Sequence, residues 1–190
     1  KYEEKAFLWP IKTVGVQGDD RTYSFVAMLK LKEKNWRKAR SIAKEITTHI
    51  HEVNRVVLDL TPETKLVHSS KIHIPTFVSK ETVKTLQELD FKGRKIIEEY
   101  SFPIDLSQTI FVLCGVDPYL KGKRTLVLRA VLSDDFMTVK PSVLDHDISE
   151  NTSLTWSCLE EISMMSLESL DIGAFAYDIT DKPPATTEWE

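Results

Sequence analysis

The chain is poor in cysteine and glycine, and it has no long apolar run. Its 190 residues include two cysteines and six glycines, and no stretch of 18 residues is apolar throughout. Two cysteines exclude a disulfide framework and the paired CxxC spacing of a zinc knuckle, so we expect Cys114 and Cys158 to be buried thiols. Without a long apolar run, no membrane-spanning helix is expected.

Positive charge is also in deficit. The chain has 25 Lys and Arg against 29 Asp and Glu, which gives a net charge of −4. A protein that binds nucleic acid or an anionic membrane is usually basic, so both partner classes are disfavoured. The composition, 42% hydrophobic and 28% charged, is typical of a soluble folded protein. The sequence opens at Lys1 without a signal-peptide pattern or an initiator Met, and we interpret it as a fragment of a longer protein.

Several well-known site signatures are missing. Neither GxGxxG nor GxxxxGK[ST] occurs, no serine or cysteine lies in a nucleophile elbow, and no GxxG loop of the KH type lies between two predicted helices. His49 and His51, two apart on a predicted helix, point in different directions and cannot share a metal ion. Asp134 and Asp135 predict a turn at a strand end rather than an acid/base pair. The sequence predicts no catalytic residue and no metal site in this chain.

Hydrophobic periodicity predicts three helices and six strands. Asn35 and Ser79 are the predicted N-caps of the first two helices. The apolar run Thr109–Leu113 predicts a strand covered on both faces. The predicted helices are Trp36–Val53, Lys80–Tyr100 and Leu154–Leu167. The predicted strands are Lys12–Gln17, Tyr23–Leu31, Arg55–Leu60, Thr109–Leu113, Arg124–Leu132 and Ala174–Ile179.

A weak internal repeat organises these elements. Arg21-Thr22, a strand, a helix and the run ending Asp59-Leu60-Thr61 correspond to Arg124-Thr125, a strand, a helix and the run ending Asp178-Ile179-Thr180. The repeat predicts a two-layer α+β fold of two β(β)αβ halves, each with a helix packed on a small sheet. We assign residues 1–65 to the first half, 66–123 to an inserted helix-strand segment and 124–190 to the second half with its tail.

The second face of such a sheet needs cover. We therefore expect a homodimer, with the apolar surface supplied by the strands Tyr23–Leu31 and Arg124–Leu132.

Two segments are unusual for a turn and a terminus. In Gly15–Tyr23, a glycine-flanked turn leaves backbone N–H groups accessible and Arg21 beside them, which suits a phosphate. On these residues alone, however, an ordinary hairpin turn is the favoured interpretation. In the tail Thr180–Glu190, two prolines stiffen the chain after Lys182. Such a tail fits either a clamp on a ligand or a merely packed terminus.

These two segments resemble the C-terminal domain of GMP synthase (glutamine-hydrolysing), and further matches lie between them in the same order. The tail is the most specific match, because the family also ends in Glu-Trp-Glu. The long middle part is similar to the larger, duplicated form of the domain in animal-type members. The matching runs are Val14–Tyr23, Val53–Val57, Asp135–Thr138 and Tyr177–Glu190.

The resemblance implies a role in purine nucleotide biosynthesis. Members of the family are cytoplasmic ligases with an amidotransferase domain, an ATP pyrophosphatase domain and this C-terminal dimerisation domain. They adenylate xanthosine 5′-monophosphate (XMP) with ATP and Mg²⁺, and ammonia from glutamine then displaces AMP to give GMP. The first two domains are not in this sequence, so we expect the chain by itself to hold no cofactor and to be inactive.

The resemblance also implies contacts with XMP. Arg21 and Lys182 can bind a phosphate dianion. The two acidic residues fit ribose hydroxyls or an orienting role, and Gln108 lies in a context that is only loosely family-like. Asp20 departs from the pattern, since an extra carboxylate weakens anion binding unless it points away. The five implied XMP-binding residues are Asp19, Arg21, Gln108, Lys182 and Glu188.

An alternative is a non-catalytic module for self-association or regulation that touches no nucleotide. The sequence upstream of Lys1 would discriminate, because a glutaminase triad and a pyrophosphatase loop there would identify the enzyme.

Overall fold

A computed structural model describes residues 5–17, 20–62, 73–100, 106–143 and 154–189. The described residues form a mixed seven-stranded sheet and three helices, which confirms the α+β class. The strands lie in the order β1-β2-β3-β7-β5-β4, with β6 paired to β5. In chain order the elements are β1 (Lys5–Gln17), β2 (Asp20–Lys30), α1 (Trp36–His49), β3 (Val53–Asp59), α2 (Lys80–Tyr100), β4 (Gln108–Cys114), β5 (Arg124–Leu132), β6 (Lys140–Pro141), α3 (Trp156–Leu167) and β7 (Ile172–Asp178).

The sheet is built from two halves of the same topology. In the first half, β1 pairs antiparallel with β2, and α1 crosses over to β3, which is parallel to β2. In the second half, β4 pairs antiparallel with β5, and α3 crosses over to β7, which is parallel to β5. The central strands β3 and β7 join the halves antiparallel. Trp36 and Trp156, the first residues of α1 and α3, stack with their ring centroids 3.8 Å apart.

Most element bounds follow from local signals. Asn35 caps α1 by accepting a hydrogen bond from Lys38 N at 2.9 Å, and Ser79 Oγ accepts one from Thr82 N at 3.2 Å. The prediction that the first helix continues to Val53 is wrong. The helix ends at His49, because Val53 pairs with Phe25 of β2 and begins β3.

The strand predicted at Thr109–Leu113 packs on both faces, with Phe111 and Leu113 against the core beneath the helices and Val112 against the opposite core. The strand β4 lies at one edge of the sheet and is only partly buried. One face of β4 packs against α2, where Gly93 makes the close approach possible. A Cβ at Gly93 would lie 2.3 Å from Cζ of Phe111.

Both faces of the central strands are covered within the single chain. Alternate residues of β2 divide between two cores: Ala27 and Leu29 pack with the helices, while Val26 and Met28 pack on the opposite face with Trp9 of β1. The expectation of an open apolar face on the strands here called β2 and β5 is therefore wrong. β1 starts seven residues earlier than predicted, because a register shift between Leu8 and Lys12 disguises its alternation.

The cysteines lie on opposite faces of the sheet. Cys158 of α3 belongs to the core beneath the helices and Cys114 of β4 to the other core. Both are free and buried, as the sequence predicts. No helix within the described ranges is long and apolar enough to cross a membrane.

Candidate functional site

The C-terminal tail, residues 181–189, crosses the sheet and ends beside the β1–β2 hairpin. At its start Lys182 exchanges two backbone hydrogen bonds with Val139, with N···O distances of 2.9 and 3.1 Å. Further along, the carbonyl of Pro184 accepts a hydrogen bond from Val16 N at 2.8 Å. Val16 is the cross-strand partner of Arg21, whose side chain is exposed. The fold thus brings two of the predicted site segments, the hairpin and the tail, together.

Gly15 allows the tail to approach this closely. Ala185 bridges to Gly15 in antiparallel fashion. A Cβ at Gly15 would lie 2.7 Å from the carbonyl oxygen of Pro184 and 2.6 Å from Nδ2 of Asn54. Side-chain amide hydrogen bonds fix Asn54 there, since it donates to Thr13 O at 2.7 Å and accepts from Thr13 Oγ1 at 2.9 Å. The glycine at this position is therefore required for docking of the tail.

The side-chain ammonium group of Lys182 is hydrogen-bonded, as its backbone is. Its Nζ donates to the carbonyl of Phe136 at 2.5 Å. Phe136 has φ +58°, the left-handed conformation that is uncommon for an aromatic residue. The turn around it is fixed by side chains, since Ser133 Oγ accepts from Phe136 N and Asp135 Oδ1 accepts from Met137 N, both at 2.8 Å. An ammonium group has three N–H donors. This hydrogen bond uses one of them.

Asp135 caps this turn, as its predicted place at a strand end suggested. The run Asp135–Thr138, which matches the family, therefore supports the lysine of the tail.

The start of the tail is tied to α1. Arg40 donates to the carbonyl of Ile179 at 2.7 Å and forms an ion pair with Asp181 at 2.6 Å. These contacts fix the chain direction just before Lys182.

A buried charge cluster lies under the end of the tail. The carboxylate oxygen Oδ2 of Asp178 accepts hydrogen bonds from Arg55 Nη1 at 2.6 Å and Trp189 Nε1 at 2.9 Å. It also forms an ion pair with Arg129 Nη1 at 2.9 Å. The side chains of the two arginines and the aspartate are fully buried. Two guanidinium groups against one carboxylate leave an excess of one buried positive charge in this cluster.

The arginines also bind the backbone of the tail. Arg55 Nη2 donates to the carbonyl of Glu188 at 2.9 Å, and Arg129 Nε donates to the carbonyl of Thr187 at 3.0 Å. The ring of Trp189 lies over the Arg55 guanidinium, with 4.7 Å between the ring centroid and Cζ. Because burial without partners is costly for a charged group, these contacts offset the burial of the arginines and fix the tail. Nη2 of Arg129 is buried and has no hydrogen-bond partner among the described residues.

Electrostatics keep the aspartate ionised. Burial alone would raise the pKa of Asp178, but the Arg129 and Arg55 guanidinium groups and the backbone N–H of Thr180 outweigh it. The pKa of this carboxyl group lies below its ordinary value.

The remaining predicted site residues are placed as follows. Glu188 is exposed, and Gln108 begins β4 with its Oε1 buried and without a hydrogen-bond partner. Gln108 pairs with Val131, which pairs in turn with Pro141 of β6. Gln108 is therefore separated from the tail by these strands. Asp19 lies outside the described residues.

Sequence reasoning missed the three buried charged residues. Arg129 interrupts the apolar run of the strand β5, Arg55 lies in the buried strand β3, and Asp178 lies in the buried strand β7. A charged residue inside a strand predicted to be buried is itself a signal for an ion pair, but its partner is 123 positions away for Arg55 and Asp178.

A cavity of about 470 Å³ opens beside Trp189. Its lining is mainly apolar, with Ile11, Phe77 and Leu86 among the residues, and it includes none of the four predicted XMP-binding residues that the structure describes. Within the described ranges, no three His, Cys, Asp or Glu side chains are grouped so that they could hold a metal ion. The arrangement is an open surface along a fixed tail rather than an enclosed active site.

Comparison with known proteins gives a family match that includes the tail. Residues 120–189, which include β5, α3, β7 and the tail, match the model of the family described as GMP synthase C terminal domain. The chain is 34% identical over 199 residues to a GMP synthase [glutamine-hydrolyzing] of Dictyostelium discoideum, covering 97% of this chain and 27% of that protein.

Two further relatives give the same picture. A probable GMP synthase [glutamine-hydrolyzing] of Caenorhabditis elegans is 29% identical, covering 100% of this chain and 27% of that protein. One of Leptospira interrogans is 28% identical, covering 95% of this chain and 28% of that protein. The chain thus spans little more than a quarter of the length of these relatives. With the fold, the tail and these matches taken together, the chain belongs to the family of GMP synthase C-terminal domains.

Proposed function

We propose that this chain is the C-terminal part of a glutamine-hydrolysing GMP synthase and that it supplies contacts to the substrate XMP. The reaction centre then lies in domains outside this chain, where XMP is adenylated with ATP and ammonia from glutamine displaces AMP. The chain alone is expected to form no GMP from XMP, ATP and glutamine.

The observation that carries the proposal is the fixed position of Lys182. Its backbone is paired with Val139, its ammonium is hydrogen-bonded to Phe136, and the chain after it is held to β1. A lysine at the surface usually loses considerable side-chain entropy when it binds an anion. Here much of that loss has already occurred on folding, which favours binding of the XMP phosphate by the remaining N–H groups.

Arg21 is the second basic residue that we assign to the XMP contact. It is exposed on the hairpin that borders the tail, and a guanidinium can bind a phosphate through two parallel hydrogen bonds. We assign ribose or orienting roles to Asp19 and Glu188, and Gln108 stays the least supported of the five contacts.

ATP and Mg²⁺ are assigned to the other domains of the enzyme. Within the described residues, no three metal-ligating side chains lie together.

We also propose a homodimer, as the family resemblance implies. Its interface has to lie elsewhere than on the central strands, which are already buried. Exposed apolar side chains just before α2 offer other surface, since Phe77 is 75% and Val78 is 94% exposed. Analytical ultracentrifugation of the full-length enzyme at high micromolar concentration, with and without XMP, tests the dimer. A sedimentation coefficient that corresponds to a monomer under both conditions would contradict it.

The test of the XMP contact is Lys182→Ala in the full-length enzyme. Loss of a charge-assisted hydrogen bond costs about 1.5–3 kcal/mol, so the KM for XMP should rise about 10- to 150-fold. Arg21→Ala should act in the same direction. Lys92→Ala, which removes one positive charge from the exposed side of α2, is the matched control and should leave the KM unchanged.

The melting temperature is measured on the same variants. If Lys182→Ala lowers the melting temperature while the KM for XMP stays at the parent value, the tail is packing only, and the alternative of a module without nucleotide contact is favoured.

A further inference from the structure

The two halves of the sheet carry the same motif at the same place. The strand registers align Met28 beside Val57 in the first half and Val127 beside Ala176 in the second. Two residues after each member of these pairs, and four residues after Val57 and Ala176, the two halves have equivalent positions at the strand ends. They are Lys30 and Arg129, Asp59 and Asp178, and Thr61 and Thr180.

The contacts at these positions are the same in kind. Lys30 Nζ forms an ion pair with Asp59 at 2.9 Å and donates to Thr61 O at 2.6 Å. Arg129 Nη1 forms an ion pair with Asp178 at 2.9 Å and donates to Thr180 O at 3.0 Å. Each aspartate also accepts from the backbone N–H of its threonine, at 2.9 and 3.0 Å. A lysine is therefore sufficient for the motif that the halves share.

The second half adds contacts that all end in the tail. Arg129 uses its additional donor Nε for the carbonyl of Thr187. Arg55 binds the carbonyl of Glu188, and its equivalent by the same count is Ala174, which can make no such bond. Trp189 then closes the cluster from the tail side, through its hydrogen bond to Asp178.

We propose that Arg55 and Arg129 are positioning residues, which hold the tail in register so that Lys182 is presented to the substrate. Both arginines bind main-chain carbonyls, so they fix the path of the tail and not the identity of its side chains. Their side chains are fully buried beneath the tail, so the proposed role acts through Lys182 and not through a contact of their own with substrate. This inference rests on the proposed function, because the benefit of a fixed tail is the substrate contact of Lys182.

Arg129→Lys is the sharpest test, because the first half shows that a lysine supports the shared motif. The variant keeps the donor for Asp178 and Thr180 but has none for Thr187. Trp189→Ala is the second variant, since it loosens the tail from outside the sheet. Lys30→Arg, the reciprocal exchange in the first half, is the matched control.

Two quantities are measured on the full-length enzyme. Hydrogen exchange followed by mass spectrometry measures the exchange rates of the backbone amides of Lys182 and Ala185. These amides donate to Val139 O and Asp181 O, respectively. Loss of one charge-assisted hydrogen bond should accelerate this exchange about tenfold in Arg129→Lys and in Trp189→Ala, but not in Lys30→Arg. Exchange in α1 and α3 should stay at the parent rate. Steady-state kinetics should show a raised KM for XMP, with the KM values for ATP and glutamine unchanged.

The outcomes separate this inference from the proposed function. Parent exchange rates in both test variants overturn the inference, as does faster exchange with an unchanged KM for XMP when Lys182→Ala raises that KM. If Lys182→Ala itself leaves the KM unchanged, the proposed function fails and the assignment of a positioning role falls with it.

Discussion

Asp178→Asn removes the only negative charge in the buried cluster at the end of the tail. In the native protein one oxygen of this carboxylate accepts hydrogen bonds from Arg55 and Trp189 and forms an ion pair with Arg129, at 2.6 to 2.9 Å. The amide keeps the shape of the side chain but has no charge, so two fully buried guanidinium groups are left without a counter-ion. The substitution therefore tests the electrostatics of the cluster with little change in packing.

The expected loss is large. Removal of one partner from a buried ion pair costs about 3–5 kcal/mol, because the other charge stays buried and uncompensated. At about 2–4 °C per kcal/mol for a domain of this size, the melting temperature should fall by roughly 6–20 °C. A loss of that size is a large fraction of the roughly 5–15 kcal/mol that stabilises a typical domain.

Urea unfolding followed by far-UV circular dichroism measures the effect. Asp181→Asn is the control, because that carboxylate pairs with Arg40 but is 36% exposed, and a partly solvated pair contributes about 1 kcal/mol or less. The m-value should be unchanged, since the surface exposed on unfolding stays the same. A loss at Asp178 no larger than the loss at Asp181 would refute the reasoning that the buried excess of positive charge governs this part of the fold.

Three further outcomes are expected. Gly15→Ala should destabilise the chain by about 1–3 kcal/mol and speed amide exchange at Val16, because the new methyl group overlaps Asn54 and the carbonyl of Pro184; unchanged exchange there would contradict the close approach. The difference in unfolding free energy between the parent and Asp178→Asn should have its full size above about pH 5 and shrink only below about pH 4. The reason is that an aspartate with a lowered folded-state pKa loses its contribution to stability as the pH falls through that pKa. A difference that shrinks between pH 7 and pH 5 would exclude a lowered pKa. Burial raises the pKa of Cys114 to about 12, so iodoacetamide at pH 8 should modify it only after unfolding, and rapid alkylation of the native protein would show that the thiol is accessible.

Local sequence determines much of this fold. The helix α2 and the strand β5 have the bounds that periodicity and flanking residues predict, because their apolar spacing matches one regular structure throughout. Asn35 predicts the start of the first helix, since a cap is a contact between residues three apart. The repeat between the two halves was also visible, and the tail was recognisable from its own residues.

Tertiary structure decided the rest. The apolar spacing of the first helix continues through Val53, but pairing of that residue with Phe25 outweighs it and begins a strand. The run at β4 is apolar throughout, yet the strand lies at an edge, because edge position depends on the order of strands and not on composition. Coverage of the second sheet face depends on β1 and the tail, which reach it from the two ends of the chain.

The site divides in the same way. Its surface residues, Arg21 and Lys182, lie in short segments whose own sequence is distinctive, so the sequence by itself determined them as candidates. The cluster that holds the tail joins Arg55, Arg129 and Asp178 from three different strands. No local pattern pairs a charged residue with a partner more than a hundred positions away. Only the folded sheet decided those pairs, because burial of two arginines is tolerable only where a carboxylate and the carbonyls of the tail meet them.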